Sequence, residues 1–167
     1  MRCTERYWWH CCAAAFAVVL ALVVCAPSPG QSDDATLAQT PERGDIAVLV
    51  TAQGAHSFTV EIADDPVERA TGLMFREQMD RDRGMLFDFA SEALRAFWMK
   101  NTPLPLDIIY IAADGRVVSI ARNTTPFSTD TIPSKSPARF VLEVNAGVAD
   151  EIGLLPGDRL LHRRVER

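Results

Sequence analysis

The residues with the most chemistry to offer lie between Phe97 and Ile111, in FWMKNTPLPLDIIYI. Trp98 is the single tryptophan after the N-terminal segment, Lys100 and Asn101 follow it, and Asp107 enters an apolar run. An aromatic wall with a cation, an amide and a carboxylate nearby is the make-up of a small-molecule clamp. In such a site apolar surface surrounds a few polar groups that fix orientation. Pro103 and Pro105 stiffen the connection between these residues. A carboxylate is costly to bury alone, so Asp107 should meet Lys100, Arg122 or backbone N–H groups. The plainer alternative is a structural ion pair that fixes the PLPLD crossover.

Two other chemistries compete. Met74, Met85 and Met99 carry thioethers suited to Cu(I), with His56 as a further donor and the Trp98 face as support for a cation. Against this, each methionine sits in an apolar block (GLMF, GMLF, FWM), where methionine ordinarily fills core gaps. Glu61, Glu143 and Asp158 can be read as acid–base carboxylates of a hydrolase. Their spacing does not demand it: Glu61 falls on the polar side of its strand and Asp158 in a PGD turn, where aspartate belongs for backbone reasons. The chain has no GxSxG, HExxH, phosphate-binding glycine loop or dinucleotide fingerprint. No catalytic residue and no cofactor is therefore assigned, and binding is preferred to catalysis.

The elements that must hold these residues are mostly strands. Ile46 to Val50 is apolar and rich in β-branched residues, and His56 to Ile62 alternates with Phe58, Val60 and Ile62 on one face. Asp64 or Asp65 can cap a helix, Pro66 suits its first position, Glu68 lies three residues after Asp65 as in a capping box, and Gly72 ends that helix. Met85–Phe89 and Ala96–Met99 read as strands, with Ser91–Leu94 as a loop between them. Leu106–Ala112 is β-branched enough to be buried on both faces. Asp114-Gly115 predicts a hairpin. A two-residue loop sets Asp107 opposite Arg122, and a three-residue loop with a bulge sets it opposite Ala121. Residues 123–137 form a long loop with three prolines. Arg139–Val144 is a strand, Ala146–Ile152 a helical turn or two, and Arg159–Val165 the last strand. The expected fold is mainly β, of the α+β kind: a compact barrel-like domain of about seven strands with one or two short helices.

Composition sets the surroundings. Residues 1–30 run from basic (Arg2, Arg6) through apolar (Ala13–Ala26) to small, the order of a secretory signal peptide. Lipidation at Cys25 or an uncleaved N-terminal anchor are the alternatives, and only through this leader would a membrane be involved. Residues 31–45 read as a flexible linker and 46–167 as one domain. All four cysteines lie in the leader, which removes disulfides and thiol chemistry from the domain. From Gln31 onward 15 basic side chains stand against 21 acidic ones, a balance that disfavours nucleic acid as a partner.

Four blocks in order, EIADDPVERATGLMFRE, GMLFDF, FWMKNTPLPLDIIYIAADGRVVSI and SPARFVLEVNAG with GLLPGD, resemble the family called domain of unknown function 192. The resemblance covers roughly residues 58–160. It implies a single small, mainly β domain, often behind an export signal, and implies no activity, cofactor or catalytic residue. The expectation is therefore an exported, periplasmic or envelope domain that binds a small ligand beside Trp98, Lys100, Asn101, Asp107 and Arg122. The alternative is an envelope interaction or assembly module that uses residues 123–137 to contact a partner protein.

Overall fold

The computed structural model describes residues 45–165. The leader, Cys25 and the linker up to residue 44 lie outside the described residues. In chain order the elements are β1 (Asp45–Thr51), β2 (Gly54–Ala63), α1 (Pro66–Thr71), β3 (Arg83–Ala93), β4 (Ala96–Phe97), β5 (Leu106–Ile111), β6 (Val117–Ala121), β7 (Ile132–Pro133), β8 (Ala138–Asn145), α2 (Val148–Glu151) and β9 (Arg159–Leu161). Seven strands make one sheet in the order β6-β5-β8-β3-β2-β1-β9, and β4 pairs with β7 in a second, two-stranded one. Only β2 and β3 run parallel, which is why the chain needs α1 and the segment after it to cross back.

The large sheet curls until its edges meet. The Leu160 N–H donates to the Gly115 carbonyl and the Val117 N–H to the Asp158 carbonyl, both at 2.8 Å, and Arg116 bridges Arg159. Inside the curl, one cluster takes buried residues from every strand of the sheet, among them Leu49, Phe58, Leu86, Ile109, Val117, Leu142 and Leu160, and closes over α2 at Val148 and Ala149. The alternate residues of β3, β5 and β8 point outward, yet most of them are buried too, and Ala63 at the end of β2 joins them. Phe87, Ile108, Tyr110 and Val141 pack there beneath Leu73, Met99 and Leu104. Strand β5 is consequently buried at all six positions.

Three boundaries differ from the sequence reading. The segment Ser91–Leu94, expected as a loop, continues β3 to Ala93 through an irregularity between Asp88 and Ala93 where β3 pairs with β8. Strand β9 stops at Leu161 rather than Val165, because the Val165 N–H turns back to the His162 carbonyl at 2.9 Å. Within the long loop, Ile132–Pro133 pairs with Ala96–Phe97. A two-residue strand of this kind carries no periodicity for sequence to reveal.

The hairpin register follows the two-residue-loop expectation near Asp107, with Ile108 opposite Ala121 and Tyr110 opposite Ser119, before a bulge brings Ile111 opposite Val117. Asp107 points to the inner face with Ile109 and is fully buried. Its two oxygens accept the Asn123 N–H and the Ala149 N–H, each at 2.8 Å. One carboxylate thus ties the exit of β6 and the first turn of α2 to the start of β5. Hydrogen bonds to a charged group are worth about 1.5–3 kcal/mol each, so Asp107→Ala should destabilise the fold by about 3–5 kcal/mol. Urea unfolding of parent and variant measures this, and a loss below about 1 kcal/mol would show that neither bond matters.

Candidate functional site

Strand β8 carries a second acid, and alternation sends it the other way. Phe140, Leu142 and Val144 fill the inner core, so Val141 and Glu143 face outward. There Glu143 lies in register between Met85 of β3 and Ile108 of β5. It is 5% exposed. Above it is a pocket of about 40 Å3, walled by Gly72, Leu73, Phe97, Trp98 and Thr102. Among the described residues no donor reaches the Glu143 carboxyl, whose pKa burial pushes up to about 8. Burial thus favours its neutral form, which can donate one hydrogen bond and accept another. The Tyr110 phenol is held protonated by burial and then by Glu143, and it donates to the Ile132 carbonyl at 2.6 Å.

The walls follow from local chemistry. The capping box at α1 is complete: the Asp65 carboxylate accepts the Val67 and Glu68 N–H groups, and the Glu68 carboxylate accepts those of Asp64 and Asp65. The helix stops at Gly72, whose φ of 49° favours glycine and where a Cβ would stand 3.1 Å from the Phe87 ring. The chain then passes Phe75 in a left-handed conformation, and the Phe75 N–H donates to the Asn101 carbonyl at 2.7 Å. Asn101 is left-handed as well. On the other side of this turn the Met99 N–H donates to the Ser128 carbonyl, and the Phe127 N–H to that of Thr102. Three loops are thereby laced together over the outer face.

The sequence-derived candidates divide between the two faces of the sheet. Trp98, Lys100 and Asn101 belong to the pocket side. Trp98 is 48% exposed, the Lys100 ammonium lies 5.1 Å from its ring centroid, and the Asn101 amide sits 3.9 Å from the Met74 sulfur. Asp107 and Arg122 belong to the inner side, near α2. Arg122 donates to the Leu154 carbonyl at 2.6 Å and pairs with Asp150 at 2.7 Å. No single clamp therefore holds all five residues: Asp107 pairs across β8 with Val144, and Glu143 with Ile108, so the sheet itself separates the two acids.

The other candidates have separate surroundings. Met85 and Met99 are buried in the outer core, with the Met99 sulfur 3.2 Å from the Thr124 hydroxyl. His56 lines a different cavity, between β2 and α2. Glu61 is engaged by Arg76 through two bonds of 2.5 and 2.8 Å, and Asp158 accepts the Leu155 N–H at 2.8 Å. The β2–α2 cavity is larger, about 390 Å3, and is bordered by His56, Phe58, Arg81, Val148 and Glu151. Arg81 and Glu151 pair with each other there, and Asp82 and Ser57 also border the cavity.

Sequence reasoning undervalued Glu143. The signal was there: an acid in the middle of FVLEV, a run too apolar for one solvated face. What could not be read was that the outward face is covered as well.

The raised pKa sets a pH dependence. The folded chain keeps the Glu143 proton up to about pH 8, whereas the unfolded chain releases it near the ordinary value of 4.5. The folded state binds more protons in that window, so this group's contribution to stability is lost as pH rises through it. Glu143→Gln should match the parent near about pH 5 and exceed it in stability near about pH 9. The gap should grow by at most about 1.4 kcal/mol per pH unit. Chemical unfolding across this range tests the point; a gap independent of pH would contradict it.

Comparison with known proteins bears on the family and the fold. The family model DUF192, described as "Uncharacterized ACR", matches residues 48–162. A crystal structure from Sinorhizobium meliloti 1021, described as that of a candidate transcription regulator, is 48% identical. It superposes with a TM-score of 0.69 over 71% of this chain and 92% of that one. A protein of unknown function from Novosphingobium aromaticivorans DSM 12444 is 38% identical, with a TM-score of 0.68 over 70% of this chain and 83% of that one. No curated protein matches the chain.

Proposed function

The chain belongs to the DUF192 family, and from that premise we propose that it is an exported envelope domain that binds a small, uncharged ligand. The ligand places one polar group in the pocket above Glu143, against Trp98. Export rests on the basic–apolar–small order of residues 1–30.

The observation that carries the binding reading is Glu143. An acid buried without a partner destabilises the fold unless it serves a purpose or finds a partner, and this one opens onto a pocket with an aromatic wall. Convergent polar groups beside an aromatic wall, with a perturbed acid among them, are physical marks of a ligand site. Binding is favoured over catalysis because the lining residues include no histidine, cysteine or lysine beside Glu143 to complete an acid–base or nucleophilic arrangement.

The other readings gain less. The Sinorhizobium meliloti relative's description points toward nucleic acid, but the basic pair of this chain is already engaged. Arg163 meets Asp45 at 2.5 Å, and Arg164 meets Asp64 at 2.7 Å and Asp88 at 3.2 Å. The assembly-module reading takes residues 123–137 as its contact; that loop is tied into the fold, with the Asn123 N–H on Asp107 and the Ser134 N–H on the Arg95 carbonyl.

A thermal-shift screen of neutral small molecules tests the proposal. Hits should raise the Tm of the parent, a ligand at about 100 times its Kd adding about 2.7 kcal/mol, and should fail to do so for Glu143→Leu. A set of hits indifferent to that substitution would place the site elsewhere.

A further inference from the structure

Most arginines among the described residues are matched to an acid, as Arg76 is to Glu61 and Arg122 to Asp150. Two that stand close together are not: Arg69 of α1 and Arg95, between β3 and β4. Both guanidinium groups lie over the ring of Phe89, that of Arg95 4.0 Å and that of Arg69 5.4 Å from its centroid. Like charges gathered at one ring repel. Burial, and then the charge of Arg69, push the Arg95 pKa down.

Each of the two is held only by neutral carbonyls. Arg69 donates from one nitrogen to the carbonyls of Asp64 and Asp88, the latter at 3.1 Å. Arg95 donates from Nε to the Ala138 carbonyl at 3.1 Å and from a terminal nitrogen to the Ser91 carbonyl. A guanidinium has five N–H donors, so these bonds orient both groups and leave about three donors on each for another molecule. The Arg95 backbone is fixed as well, with its N–H on the Ser134 hydroxyl at 3.0 Å and its carbonyl accepting the Ser134 N–H at 2.8 Å.

The acids nearby are spent elsewhere. Asp88 is shared by Arg139 and Arg164, and Arg164 also takes Asp64. The Glu68 carboxylate accepts backbone N–H groups in the cap of α1. Among the described residues no carboxylate, Glu92 of β3 included, pairs with Arg69 or Arg95.

We propose that Arg69 and Arg95 form an anion site at the Phe89 ring for a ligand with two negative charges on oxygen, a phosphate monoester or a dicarboxylate. Guanidinium forks suit both groups, and bonds between ionised partners are roughly twice as strong as neutral ones. Two oriented cations without a counter-ion favour a dianion over a monoanion, since each negative charge is attracted by both. The site adjoins the Glu143 pocket, because Arg69 also lines that pocket and Phe97 stands edge-on to Phe89. It goes beyond the small-ligand reading and stands without it. No bond is made or broken in this step.

Titration calorimetry of the full chain at low ionic strength tests the proposal, with phenyl phosphate, inorganic phosphate, succinate and acetate as probes. At about pH 7.5 a phosphate monoester carries close to two charges. At least one dianion should bind about tenfold or more tighter than acetate. Tighter binding of the phosphates assigns both charges to one group, and tighter binding of succinate spreads them over two. Arg69→Gln and Arg95→Gln should each weaken the dianion by about tenfold or more. Arg69→Lys and Arg95→Lys, which keep the charge but lose the fork, should weaken it less. Arg116→Gln, whose parent side chain pairs with Asp114, should change nothing. Circular dichroism checks that each variant is folded, and the lysine variants carry the test if a glutamine variant is not. Dianions that bind no tighter than acetate, or binding that survives substitution of both Arg69 and Arg95, would overturn the assignment.

Discussion

Strands β5 and β8 are buried on both faces, and each brings an acid into that dry setting. Burying a carboxyl group is unfavourable unless donors reach it or it keeps its proton. The molecule uses one solution on each side of the sheet. On the inner side Asp107 receives two backbone N–H groups, from Asn123 and Ala149, and becomes a joint between β5, β6 and α2. On the outer side Glu143 receives none among the described residues and holds its proton up to about pH 8. The first arrangement consumes the hydrogen-bonding capacity of its acid in the fold. The second leaves that capacity open to another molecule.

The layer over the outer face follows from the same constraint. A sheet with apolar residues on its convex side must be covered, and here the cover is built from α1 and three loops rather than from a long helix. Loops carry backbone groups that must be paired. Those of residues 75, 99 and 127 are paired by donating across the loops, to the carbonyls of Asn101, Ser128 and Thr102 respectively, and that of Thr102 donates to Met99 within its own turn. Tight lacing of this kind forces left-handed conformations at Phe75, Asn101 and Phe127, and it turns aromatic rings outward that an ordinary connector would bury. The shape of the candidate site is thus a consequence of how the outer core is sealed.

Charge is arranged in keeping with this. Arginines are mostly directed at aspartates on neighbouring segments, as with Arg139 and Arg164 at Asp88 and Arg163 at Asp45. They pin the C-terminal turn and the β3–β8 pair. Exposed pairs of this sort add little stability individually; their effect is to neutralise cations that would otherwise attract polyanions.

Local chemistry determined a good deal by itself. The capping box at Asp65 and Glu68, the glycine stop at Gly72 and the Asp114-Gly115 turn each depend on residues within a few positions of one another, and all three are legible in the chain. So is the alternation of β2. That Asp107 must find partners was legible too, because an acid in an apolar strand has few other options. Which partners it found was decided by the tertiary structure: Arg122, its expected neighbour in register, turns to Asp150 instead, and two backbone amides take its place. The same limit applies to Glu143. Period-two alternation says that Glu143 and Phe140 point to opposite sides of the sheet, but not that both sides are dry. That depends on segments far away in the chain, Leu73, Phe97 and Thr102, folding back over β8, and sequence periodicity carries no record of contacts between residues so far apart.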